Sequence, residues 1–128
     1  MEKLTYLDTH AVVWLYAGDM GLFPSHSLQL LAEKPFAISP AVLLELQYLW
    51  EVGRIKVDAE KIFKSLEKSI GLKLCRLEFH KIILASLKES WTRDPFDRLI
   101  TAQASIAHAA LITKDETILN HYPKAIWK

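Results

Sequence analysis

Arg93-Asp94-Pro95-Phe96-Asp97-Arg98-Leu99-Ile100 sets two carboxylates three residues apart at a helix start, just before an apolar run. Pro95 suits the first helical position, where its missing N–H breaks no hydrogen bond, and Asp94 suits the N-cap before it. Asp97 then falls in the first turn, on nearly the same face as Asp94. Taken alone, this octapeptide reads as helix initiation. Acidic residues also follow two other apolar runs, in Tyr6-Leu7-Asp8-Thr9-His10 and Ile112-Thr113-Lys114-Asp115-Glu116.

Outward from that segment, short apolar runs alternate with helical patterns. Leu4–Leu7 predicts a first strand, followed by a helix over about residues 10–18. Ser25, after Pro24, opens a helix to Glu33, and Phe36-Ala37-Ile38 is a second strand. Ser39-Pro40 opens a strongly apolar helix to Trp50 or Glu51, ended near Gly53. Asp58 caps a more amphipathic helix to Ile70, with Gly71 as its stop. Leu72–Leu77 reads as a third strand with Cys75 buried in it, and Phe79–Glu89 as the next helix. The helix after Asp94 continues to about Ala109. Ala110–Thr113 is a fourth strand, Asp115–Asn120 a short helix and Ala125–Trp127 a final edge strand.

Strands separated by helices imply a parallel sheet with helices on both faces. The expectation is one α/β domain over residues 1–128, a central parallel sheet of four to five short strands flanked by helices. No repeat or linker composition divides it. The net charge of +1, from 16 Lys and Arg against 15 Asp and Glu, excludes nucleic-acid binding by global electrostatics. Any such contact must be local, for example through a metal ion that reverses the sign of an acidic pocket. No stretch approaches the roughly 18 apolar residues of a membrane span, and the start offers no secretory signal. One cysteine excludes a disulfide within the chain. A cytoplasmic protein is expected.

Ligands of such a sheet bind beyond the carboxyl ends of its strands, near a topological switch point. Asp8 and Asp115 each follow a strand, and Asp94 and Asp97 begin the helix that precedes the fourth strand. That helix start belongs to the same edge. Each acid also has a plain structural reading: Asp8, Asp94 and Asp115 as N-caps, Asp97 as a first-turn acid favoured by the helix dipole. Glu45 lies in Ala41-Val42-Leu43-Leu44-Glu45-Leu46-Gln47-Tyr48-Leu49-Trp50, apolar nearly all round. Helices of that kind are buried, and a buried carboxylate needs a partner or a metal. The plainer readings for Glu45 are reach to water or pairing with a Lys or Arg. Carboxylates that converge repel one another, and a divalent cation relieves the repulsion; oxygen-only ligands favour Mg²⁺ or Mn²⁺. His10, His26, His80, His108 and His121 form no ligand-spaced pair for zinc.

At these residues the chain resembles the PIN-domain family, specifically the VapC-type toxins of toxin–antitoxin pairs. The resemblance rests on Leu7-Asp8-Thr9-His10, Glu45, Arg93-Asp94-Pro95-Phe96-Asp97-Arg98 and Thr113-Lys114-Asp115, and it spans essentially the whole chain. It implies an Mg²⁺- or Mn²⁺-dependent ribonuclease whose metal is held by Asp8, Glu45, Asp97 and Asp115. It assigns Asp94 mainly to capping and support, and makes Thr9 and Thr113 candidates for orienting carboxylates or a metal-bound water. Arg93, Arg98 and Lys114 become candidates for contact with RNA phosphates or a partner, beside the reading as solvated helix-end charges. Trp91-Thr92 stands before Arg93 where relatives often carry a His, and Ser39-Pro40-Ala41-Val42 departs from a Ser-x-x-Ser/Thr pattern. Neither departure removes an acid.

The implied function is a metal-dependent endoribonuclease of single-stranded or loop RNA, the toxin of a VapBC-type pair. It would be a homodimer, silenced by a small antitoxin. Its rival is a PIN-like module that binds RNA or an antitoxin without cleavage. A phosphotransfer domain fits less well, since receivers and haloacid-type phosphatases need an acid pair or Asp-x-Asp at the first strand and only Asp8 stands there.

Overall fold

Strands of a parallel sheet covered on both faces need continuous rather than alternating apolar side chains. Phe36–Ile38 (β2) meets that rule, with every residue buried. Thr5–Leu7 (β1) and Ala110–Ile112 (β4) each bury their last two residues, and Lys73–Leu74 (β3) and Ala125–Ile126 (β5) close the edges. The computed structural model describes residues 4–33 and 35–128, so the Met1–Lys3 start lies outside the described residues. Among the described residues five strands form one all-parallel sheet in the order β3-β2-β1-β4-β5.

The seven α-helices of the described residues are Thr9–Ala17 (α1), Ser25–Ala32 (α2), Pro40–Glu51 (α3), Ala59–Ile70 (α4), Phe79–Ser86 (α5), Pro95–Ile106 (α6) and Glu116–His121 (α7). Asp8, Ser39, Asp58, Asp94 and Asp115 each accept a backbone N–H at the helix start they precede. These caps satisfy donors that have no partner inside the helix. None of these helices is long and apolar enough to cross a membrane.

Four local expectations are corrected. The third strand is two residues rather than Leu72–Leu77, because β2 offers only three residues to pair with; Cys75 N–H still reaches Ile38 O at 2.9 Å. Cys75 is therefore a half-buried residue beyond that strand, and Tyr6 donates its hydroxyl to Cys75 Sγ at 2.7 Å. Helix α5 stops at Ser86, not Glu89, where the bonds tighten to the i to i+3 spacing and the Ser86 hydroxyl takes the Ile83 carbonyl. Helix α6 stops at Ile106, not Ala109, because His108 turns left-handed (φ 52°) and Ala109 N–H closes on Ala104 O. Finally, α3 is not buried all round: Val42, Leu46 and Leu49 enter the core, while Leu44, Tyr48 and Trp50 stay exposed.

Strand β1 sits between β2 and β4, so consecutive strands depart to one side and later ones return on the other. That makes the carboxyl ends of β1 and β4 the switch point. Leu7 lies opposite Ile112 in the ladder, so Asp8 and Thr113 leave the sheet side by side.

Candidate active site

Asp8 is 6% exposed, buried where β1 ends and α1 begins. Its Oδ1 accepts the Thr9 N–H at 2.8 Å and its Oδ2 accepts the Thr113 hydroxyl at 2.6 Å. Burial pushes its carboxyl above the usual carboxylate range; those two bonds and His10 oppose the shift, and nearby Asp115 adds to it. Thr113 in turn accepts the Asp115 N–H at 3.0 Å. Asp115 caps α7 through bonds from Thr117 and Ile118 N–H at 2.8 and 3.1 Å.

Glu45 approaches from α3, and its Oε1 accepts the Thr9 hydroxyl. It is half-buried and forms no ion pair with a Lys or Arg among the described residues. Burial raises its carboxyl, the Thr9 bond opposes that, and the charges of Asp8 and Asp94 reinforce it. The two threonines therefore tie three acids from separate parts of the chain.

Asp94 and Asp97 divide their work. Asp94 Oδ1 accepts the N–H groups of Phe96 and Asp97 at 2.8 and 3.2 Å, fixing the first turn of α6. Asp97, one turn in, accepts no side-chain-directed hydrogen bond from the described residues. Burial and then the charges of Asp94, Asp8, Asp115 and Glu45 push its carboxyl up to about 7. Five acids thus act on one space. Among the described residues none of them is in an ion pair.

The cationic candidates are placed differently. Arg93 and Arg98 bond the carbonyls of Ser90 and Thr92 at 2.8 and 2.9 Å, bracing the loop before α6. Lys114 is exposed, its Nζ 5.7 Å from the Trp14 ring centroid. Together with Asp8, His10, Trp14 and Asp115 it lines a cleft of about 310 Å³. His10 and Trp14 lie outside the acid set that the sequence singles out. Their spacing of one helical turn from each other, starting two residues after Asp8, is the signal that places both on this rim.

A PIN domain model matches residues 5–124. The chain belongs to the PIN domain family. No curated protein sequence matches this PIN domain. Among solved structures it is similar to VapBC2 from Rickettsia felis, bound to a DNA fragment from its promoter, with a TM-score of 0.68 and 22% identity over 98% of this chain and 99% of that one. It is similar to a toxin–antitoxin complex from Klebsiella pneumoniae, TM-score 0.64 and 18% identity, over 95% of each chain. DNA-bound VapBC from Salmonella typhimurium gives a TM-score of 0.65 and 16% identity over 96% of this chain and 95% of that one. Identities this low speak for a shared fold.

Nuclease activity is typical of PIN domains, and PIN nucleases generally use divalent metals. In this PIN domain the donor chemistry fits: oxygen ligands only, with an uncompensated negative charge that a hard dication would offset. Among the described residues, however, no three His, Cys, Asp or Glu side chains are already drawn to metal-ligand spacing.

Proposed function

We propose that this PIN domain is a metal-dependent endoribonuclease, the toxin of a VapBC-type pair, acting in the cytoplasm. The observation that carries the reading is the convergence of Asp8, Glu45, Asp97 and Asp115 at the strand switch point, none of them in an ion pair with a Lys or Arg among the described residues. A structural cap requires no such convergence. Those four carboxylates would hold Mg²⁺ or Mn²⁺. When bound, the ion supplies a Lewis acid that acidifies a water and offsets charge in the in-line attack on a phosphodiester.

The chain's own residues prepare that step. Thr113 and the Thr9 N–H hold Asp8 in one orientation and favour its anionic form. Thr9 aims Glu45. Asp94 spends its oxygen on the helix start, which leaves Asp97 to face the other acids. Burial and the four neighbouring acids hold the Asp97 carboxyl up at about 7, so near neutral pH it must give up a proton to take a cation.

RNA cleavage with and without Mg²⁺, by wild type and by Asp97→Asn, tests the reading. Metal-dependent cleavage by the wild type alone is expected; equal cleavage by both proteins would sink it. The solved neighbours are toxin–antitoxin assemblies, and on that ground an antitoxin partner is proposed here, with a homodimeric toxin. A small open reading frame beside the coding sequence, encoding a DNA-binding protein that co-purifies with this chain, is the expected finding. The rival reading is a non-catalytic PIN-like module that binds RNA or an antitoxin. Binding of RNA without cleavage at any Mg²⁺ or Mn²⁺ concentration would select it.

A further inference from the structure

Trp14 forms one wall of the carboxylate cleft and has no part in the chemistry above. It belongs to an aromatic cluster: Phe23 meets it edge-on with 6.0 Å between ring centroids, Trp127 lies tilted at 5.5 Å, and Phe23 and Trp127 stand 5.4 Å from each other. Trp14 lines the cleft with Asp8 and Asp115; His10 is tilted toward it with 6.1 Å between ring centroids, and the exposed Lys114 places Nζ over the indole at 5.7 Å from its centroid, a cation that an incoming base would displace toward the adjoining phosphate. Trp14 is half-buried, whereas His10 and Lys114 are exposed. An indole already held by two aromatic neighbours loses little freedom when another ring is laid on it. A cation at the rim supplies the contact a phosphate needs. The cleft volume of about 310 Å³ is at the lower end for a small-ligand pocket.

Aromatic rings beside a basic group are the combination by which proteins hold unpaired bases. Here that combination opens directly onto the acids. We propose that the His10–Trp14 cleft is a nucleobase subsite: it holds one unpaired base of single-stranded RNA against these rings, with Lys114 on the adjoining phosphate. The base would be that of a nucleotide flanking the bond to be cut. This last placement rests on the nuclease reading, whereas the stacking does not. A paired base is not free to enter, so the subsite selects single strands and loops over duplex.

The test is fluorescence anisotropy of the full chain in EDTA, with labelled oligoadenylate, oligouridylate and an abasic ribose-phosphate oligomer of equal length. The base-bearing oligomers are expected to bind about tenfold more tightly than the abasic one. His10→Ala, a change at an exposed position, should weaken binding of the base-bearing oligomers and leave the abasic one unaffected. Lys114→Gln should weaken all three. The Trp14 indole N–H resonance should move on titration with oligoadenylate and stay in place with the abasic oligomer. Equal affinity for base-bearing and abasic oligomers, or a His10→Ala loss equal on both, overturns the proposal. Mg²⁺-dependent cleavage by a protein that ignores bases would keep the nuclease and discard the subsite. Base-dependent binding without cleavage would do the reverse.

Discussion

The Thr113 hydroxyl donates to Asp8 Oδ2 at 2.6 Å, joining residues 105 positions apart in the chain. Thr113 also accepts the Asp115 N–H, so one buried hydroxyl links the ends of β1 and β4 to the start of α7. The link exists because Leu7 and Ile112 are ladder partners, which delivers the two following residues together. It opposes the rise that burial imposes on the Asp8 carboxyl.

Thr113→Val keeps the shape and removes the hydroxyl. It leaves Asp8 short of a donor and the Asp115 N–H short of an acceptor. The expected cost is about 1–3 kcal/mol in urea denaturation near neutral pH, with most of it restored in Thr113→Ser. Unchanged stability in the valine variant would show that the bond is dispensable.

Asp97 bears on stability with a definite sign. Its folded pKa of about 7 lies above its unfolded value of 3.8, so between those values the folded protein holds more protons than the unfolded one. Its contribution is therefore fully present at acid pH and is lost as pH rises through about 7. Without metal, Asp97→Asn should be the more stable protein above pH 7, by about 1–2 kcal/mol after discounting for solvent screening of a half-exposed group. Near pH 4 the two should melt alike. A variant that melts lower than wild type in alkaline, metal-free buffer would mean that Asp97 serves only the helix dipole.

Metal binding should follow the same group. Deprotonated carboxylates are the ligands, so Mn²⁺ affinity is expected to climb as pH rises through about 7. Titration calorimetry in two buffers of different ionisation enthalpy would report protons released below that pH. Affinity independent of pH would remove Asp97 from the ligand set.

His108 tests the fold away from the site. It carries a left-handed φ of 52° just past the end of α6, the position that favours glycine. His108→Gly should add about 0.5–1 kcal/mol, the relief of left-handed strain less the greater unfolded-state freedom of glycine. A loss of stability in urea would indicate that the imidazole contributes more than the backbone angle costs.

The parts of this fold legible in the sequence are those made by neighbours. Asp58 and Gly71 bracket α4, Ser39-Pro40 and Asp94-Pro95 open α3 and α6, and Phe36–Ile38 is β2 to the residue. The features that depart from the local pattern are set from a distance. Cys75 falls outside its strand because β2 is short, and α3 leaves Leu44 64% exposed because only its other face meets the sheet side of the protein.

The acids divide in the same way. Asp8, Asp94, Asp97 and Asp115 were each visible as helix starts, and Glu45 as a charge in an apolar run, since those features need only a few adjacent residues. That Thr9 meets Glu45, that Thr113 meets Asp8, and that four other acids act on Asp97 are matters of tertiary structure alone. Sequence determined the caps, the apolar runs and the donor chemistry, all of which act within a turn of helix. Strand order decided which ends became neighbours, and burial set how strongly their charges interact.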